Sequence, residues 1–168
     1  LALARAAIEV GRSEADPRYF GYAQSALAPW WAQPQPPPDV QLLRATLLQQ
    51  RHDFAGALTD LDALLAREPS NAQAHLTRAV VHQVQARYPQ AQSDCAALIG
   101  HADFLTASTC IAGVQALTGK AAGALTLLDT LLLRSADASA SERLWSLTLA
   151  AEISARMQRT DAAARFNA

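Results

Sequence analysis

The stretch FAGALTDLDALLAREP, Phe54 to Pro69, decides the fold. Phe54, Ala57, Leu61, Leu64 and Leu65 fall at three- and four-residue intervals, the spacing of one face of an α-helix, and Pro69 closes the run. The same skeleton returns 34 residues later as Tyr88, Ala91, Cys95 and Leu98, and 33 beyond that as Ala121, Ala124, Leu128 and Leu131. Counting back 34 from the first set lands on Phe20, Ala23, Leu27 and Trp30. A displaced copy follows at Thr160 and Ala163.

The segment upstream of each copy repeats as well. Leu42-Leu43-Arg44-Ala45 is echoed by Leu76-Thr77-Arg78-Ala79, and Ile111-Ala112-Gly113 follows Arg78-Ala79-Val80 at an interval of 33. Each unit therefore has two repeating halves. A period of this length, with a small residue in the first helix (Ala45, Ala79), an aromatic opening the second (Phe54, Tyr88), an alanine soon after (Ala57, Ala91) and a closing proline (Pro69), resembles the bacterial-type tetratricopeptide repeat family. Gln41, His75 and His82 depart from the family's large apolar positions. The resemblance spans nearly the whole chain and is strongest from Pro38 to Leu133. It implies an all-α, right-handed superhelix of about five hairpins forming a single solenoid, with divisions near 1–37, 38–71, 72–104, 105–138 and 139–168.

The physics of the residues agrees. Ala-rich segments with Leu at helical spacing favour amphipathic helices, and small residues at matched places let the two helices of a hairpin approach closely. Asp16-Pro17 and Ser139-Ala140-Ser141-Glu142 read as helix starts, the second as a capping box. Four prolines between Pro34 and Pro38 end any helix that reaches them. No segment alternates with period two, so strands are not expected.

Composition narrows the function. Hydrophobic residues make up 51% and charged residues 17%, the reverse of a disordered chain. A net charge of -1 and scattered basic residues give no field to attract nucleic acid. No run approaches the roughly 20 apolar residues that would span a bilayer, so membrane insertion is not expected. The chain opens on Leu1 and stops in a helix-like segment, which reads as a mature form or a fragment.

Residues that carry chemistry are sparse, and no catalytic, cofactor or metal site is expected. His75 and His82 sit seven residues apart, about 10 Å along a helix, too far to share one zinc. With His52 and His101 they read as ordinary histidines. Asp60 and Asp62 form a DxD whose members face different ways on a helix. There is no glycine-rich phosphate loop, GxSxG or HExxH.

One departure repeats. Arg44 and Arg78 stand where the family is usually apolar, and Asp60 and Asp94 stand on the opposing helices of the same two hairpins. The first and fourth hairpins carry Val10 with Ala26 and Ile111 with Leu127 instead. Paired loss of both charges is what a half-buried bridge requires, so Arg44–Asp60 and Arg78–Asp94 are expected as ion pairs within hairpins. The alternative is four solvated side chains. Cys95 and Cys110 fall on consecutive antiparallel helices, where they either form a disulfide or rest as two small buried hydrophobes. A disulfide would place the chain in an oxidising compartment such as a periplasm, and free thiols would fit the cytoplasm.

The resemblance further implies that a protein or peptide partner meets the first helices on a concave face. The lining would be Asp39, Leu42, Thr46 and Gln49, then Gln73, Leu76, Val80 and Gln83, then Thr106 and Thr109. Family members that grip chaperone carboxylates use Lys, Arg and Asn there. The central hairpins have none, and only Arg5 and Arg12 in the first hairpin offer any. Gln, Thr and Leu suit an extended backbone or an amphipathic helix. Trp30-Trp31 either plugs the first hairpin or anchors a partner, and the residues between Arg134 and Arg143 form a surface loop or a partner-contacting insertion. The main expectation is a non-catalytic adaptor. The alternatives are self-assembly, for instance a homodimer through an end hairpin, and an accessory domain of a larger enzyme or transporter complex.

Overall fold

The computed structural model describes residues 1–159, so the displaced copy at Thr160 and Ala163 lies outside the described residues. The ordered elements are α1 (Ala2–Ser13), α2 (Arg18–Ala26), α3 (Ala28–Trp31), α4 (Pro38–Gln50), α5 (Phe54–Arg67), α6 (Ala72–Val84), α7 (Tyr88–Ala97), α8 (Phe104–Leu117), α9 (Ala121–Arg134) and α10 (Ala140–Arg156). No strand forms among the described residues, and an isolated bridge joins Ile99 and Ala102. The chain divides into two compact units, Leu1 to Val81 and from His82 onward.

In the first unit α1 packs on α2 and α4 on α5. Ala23, Ala45 and Ala57 are completely buried at these crossings, since a methyl is all the space between the helix backbones admits. Gly11 carries the argument further: a Cβ there would lie 2.9 Å from Cε1 of Phe20. The core of the first hairpin gathers Ala4, Ala7, Ile8, Leu27, Val40, Leu43 and Leu47, with Trp30 and Trp31 half-buried against it. The tandem tryptophans therefore pack inward.

The repeat skeleton runs through Leu27 to Trp30, but the helix does not. α2 stops at Ala26 and a separate turn, α3, carries both tryptophans. Pro29 has no N–H to continue the ladder, and its ring would collide with the carbonyl four residues back. It is tolerated only in the first turn of a new helix.

In the second unit α7 packs on α8, α8 on α9, and α10 lies against both α8 and α9. Ala112, Ala124, Leu125, Leu128, Ala150 and Ile153 form its core. The ends are defined by side chains. Asp53 accepts from Gly56 N at 3.0 Å, Asp103 from Thr106 N at 2.7 Å and Asn71 from Ala74 N at 3.0 Å. Ser139 and Glu142 form the full reciprocal capping box of α10. Asp16 reaches the start of α2 from two residues before it, accepting from Arg18 N at 3.0 Å.

Candidate functional site

Arg44 and Asp60 meet inside the second hairpin. Arg44 Nε donates to Asp60 Oδ2 at 2.7 Å and Nη2 to Oδ1 at 2.5 Å, a two-point fork between nearly buried groups. The remaining nitrogen, Nη1, donates to the carbonyl of Trp31 at 2.7 Å and of Gln33 at 2.8 Å. These are carbonyls left open at the end of α3, so the arginine also caps a helix. Gln41, completely buried, extends the network by donating to Asp60 Oδ1 at 3.4 Å. Arg67 in turn donates to Gln41 Oε1 and, at 3.3 Å, to the Pro36 carbonyl. The proline-rich connection is thus held at both ends by guanidinium groups.

The third hairpin carries charged and imidazole side chains of its own. Arg78 Nη1 lies 2.7 Å from Asp62 Oδ1, the second aspartate of the DxD. Asp94 is buried, with its Oδ2 3.9 Å from His82 Nε2. His75 Nε2 lies 2.9 Å from the Pro69 carbonyl, and His52 stacks edge-on against Phe54. Among the described residues no group of three or more His, Cys, Asp or Glu could hold a metal ion.

Cys95 on α7 and Cys110 on α8 are joined by a disulfide, with Cα atoms 5.4 Å apart and both residues buried.

The expected lining residues fall into two classes. Leu42, Gln49, Leu76, Val80, Gln83 and Thr106 are half-buried, and Asp39 and Gln73 are exposed. Asp39 is bridged by Arg5 at 3.1 Å. Thr46 and Thr109 are buried and unable to meet a partner. The Thr46 hydroxyl donates to the Leu42 carbonyl at 2.9 Å, and the Thr109 hydroxyl lies 2.7 Å from Ser146 Oγ on α10. A small side chain at that place packs against the neighbouring helix and satisfies its hydroxyl within the fold.

A feature the sequence did not bring forward lies on the first hairpin. Leu3, Ala6, Ala7, Val10, Tyr19, Tyr22 and Ala26 line an apolar hollow of about 560 Å³. Val10 and Ala26 are the counterparts of Arg44 and Asp60, so the place filled by the ion pair in the second hairpin is bare hydrocarbon in the first. The signal was present in the paired Val and Ala, but only the structure shows that Leu3 and Tyr22 stay exposed beside them.

Asp103, which caps α8, has a shifted pKa. Burial pushes its carboxyl up, but hydrogen bonds from the Thr106 side chain and backbone, and from Glu142, outweigh this and hold it below the usual carboxylate value.

No protein-family model and no curated protein matches the chain. The chain is similar to the crystal structure of a tetratricopeptide repeat protein from Parabacteroides merdae ATCC 43184, with a TM-score of 0.59 and 18% identity. The match covers 99% of this chain and 64% of that one, so this chain spans somewhat less than two thirds of its length. This likeness shows the fold, which is tetratricopeptide-like and all-helical. No helix of the described residues is long and apolar enough to cross a membrane.

Proposed function

We infer from the tetratricopeptide-like fold that this chain is a non-catalytic adaptor, binding a protein segment along the exposed faces of its first helices. The observation that carries the reading is Gln49 on α4. It is half-buried on the helix that also carries the half-buried Leu42, and its amide makes no hydrogen bond among the described residues. An amide held in that way suits a main-chain donor and acceptor of an incoming peptide. In the first unit Leu42, Gln73, Leu76 and Val80 extend this surface, and the exposed Arg5–Asp39 bridge, weak in water, opens at little cost. In the second unit, taken by itself, Gln83 and Thr106 are half-buried, with Gln83 Oε1 beside the α8 backbone at Gly113.

An affinity pull-down tests this by comparing the native chain with Gln49→Ala/Gln83→Ala. A protein retained by the native chain and lost by the variant, with circular dichroism unchanged, supports groove binding. Equal recovery by both removes the groove from consideration.

A second reading has its own observation. The apolar hollow of the first hairpin favours self-association through that end, giving a homodimer. Sedimentation of the native chain against Tyr22→Glu would then show a concentration-dependent dimer lost in the variant. The buried Cys95–Cys110 bond favours an oxidising compartment such as a periplasm.

A further inference from the structure

Cys95 occupies the place that Leu27, Leu61 and Leu128 hold in the other second helices, and all four are completely buried. A cysteine side chain is smaller than leucine. Here the shortfall is met by Sγ bonded to Cys110 of α8.

The helix that carries Cys95 is short. α7 runs for 10 residues and buries only Ala91, Asp94 and Cys95. By contrast, α5 buries Ala57, Asp60, Leu61, Leu64 and Leu65, and α9 buries Ala124 and four leucines. Of the three residues α7 buries, one is a methyl and one a carboxylate, so the cystine and Leu98, completely buried at its C-cap, are its apolar anchors. The start of α7 has Arg87 at its cap with no side-chain hydrogen bond, where α5 has Asp53. Helices below about 12 residues are marginal without tertiary support.

We propose that the Cys95–Cys110 disulfide is a redox-operated clasp that keeps α7 folded onto α8, and that its reduction frees α7 while the first unit stays folded. The reductant is a dithiol. One of its thiolates attacks a cystine sulfur, the Cys95–Cys110 bond breaks and a mixed disulfide forms. The second thiol then displaces the protein sulfur. Two electrons pass to the protein, two protons end on Cys95 and Cys110, and the dithiol leaves as its own disulfide. Because Cys95 and Cys110 are 0% and 1% exposed, attack waits on a local opening of α7, which couples bond cleavage to loss of the helix.

Hydrogen–deuterium exchange with mass spectrometry, before and after dithiothreitol, tests the clasp, with alkylation reporting the thiols. The expected result is at least tenfold faster exchange in peptides covering 88–98, with peptides from α4 and α5 unchanged. A Cys95→Leu/Cys110→Ala variant, which restores volume without the bond, should retain part of the protection and ignore dithiothreitol. Equal acceleration across the whole chain would overturn the proposal, because the bond would then support global stability alone. Unchanged exchange in a fully alkylated sample would overturn it too. So would failure of the thiols to alkylate under native conditions, since a sealed bond is no switch.

Discussion

Arg44 and Asp60 stand 16 residues apart in the chain and 2.5 Å apart in space, Nη2 to Oδ1, on the two helices of one hairpin. The same guanidinium holds the carbonyls of Trp31 and Gln33, so one side chain ties the second hairpin together and fastens the exit of the first to it. A surface bridge would contribute little, but here both groups are nearly buried and Nε, Nη1 and Nη2 of the guanidinium all donate.

Removing one partner strands the other. Asp60→Ala leaves an uncompensated buried guanidinium and should cost about 3 kcal/mol. Arg44→Leu combined with Asp60→Leu should cost less than the two single changes added together, as the apolar pairs of the first and fourth hairpins suggest. Urea denaturation of the four proteins measures the coupling. Strict additivity would mean that the two charges act independently.

Close helix approach sets a second expectation. Ala57 is completely buried and Ala55, on the same helix, is exposed. Ala57→Leu should destabilise by about 2 kcal/mol through overpacking, while Ala55→Leu should be nearly neutral. Thermal melts distinguish them, and equal shifts would refute the close-packing account of the alanine position.

The turn between the helices of a hairpin returns to the same backbone conformation. His52, Ala86 and Gly119 have φ of 60°, 57° and 86°, at successive intervals of 34 and 33 residues. Only the last is a glycine, the residue that takes this region without penalty. Ala86→Gly should therefore stabilise the chain by about 1 kcal/mol, read as a higher Tm. A lower Tm would show that the Ala86 methyl makes contacts that outweigh its strain.

Acid should act on α8 first at its cap. The Asp103 carboxyl is held below its ordinary value, so its contribution is present above the unfolded-state value of about 3.9. That contribution is lost as pH falls through the lower folded-state value. Amide protection at Thr106 should decline in that window, and Asp103→Asn should remove the dependence. NMR exchange at that amide reads the result directly.

Much of this architecture is legible before any coordinates. The alanines at 23, 57, 91 and 124 are completely buried, as a close-crossing position requires, and the Ser139–Glu142 capping box forms as its spacing indicates. Pro29 carried a legible break that the repeat skeleton overran, because a period counts positions and ignores a missing N–H. The caps at Asp53, Asn71 and Asp103 were also readable as acceptors just before helices.

Other features left no trace in the sequence. Thr46 and Thr109 sit at lining positions by count, but their hydroxyls are absorbed by a carbonyl and by Ser146, partners fixed only when helices pack. The carbonyls held by Arg44 are backbone groups that no residue type marks.

By itself, then, the sequence determined the helices, their pairing and the places where they touch, because hydrophobic period, side-chain volume and capping are local properties written in residue order. Tertiary structure alone decided which backbone carbonyls Arg44 also holds, which threonines vanish and where bare apolar surface remains. Those outcomes depend on distances between helices, set by the packing of the unit as a whole.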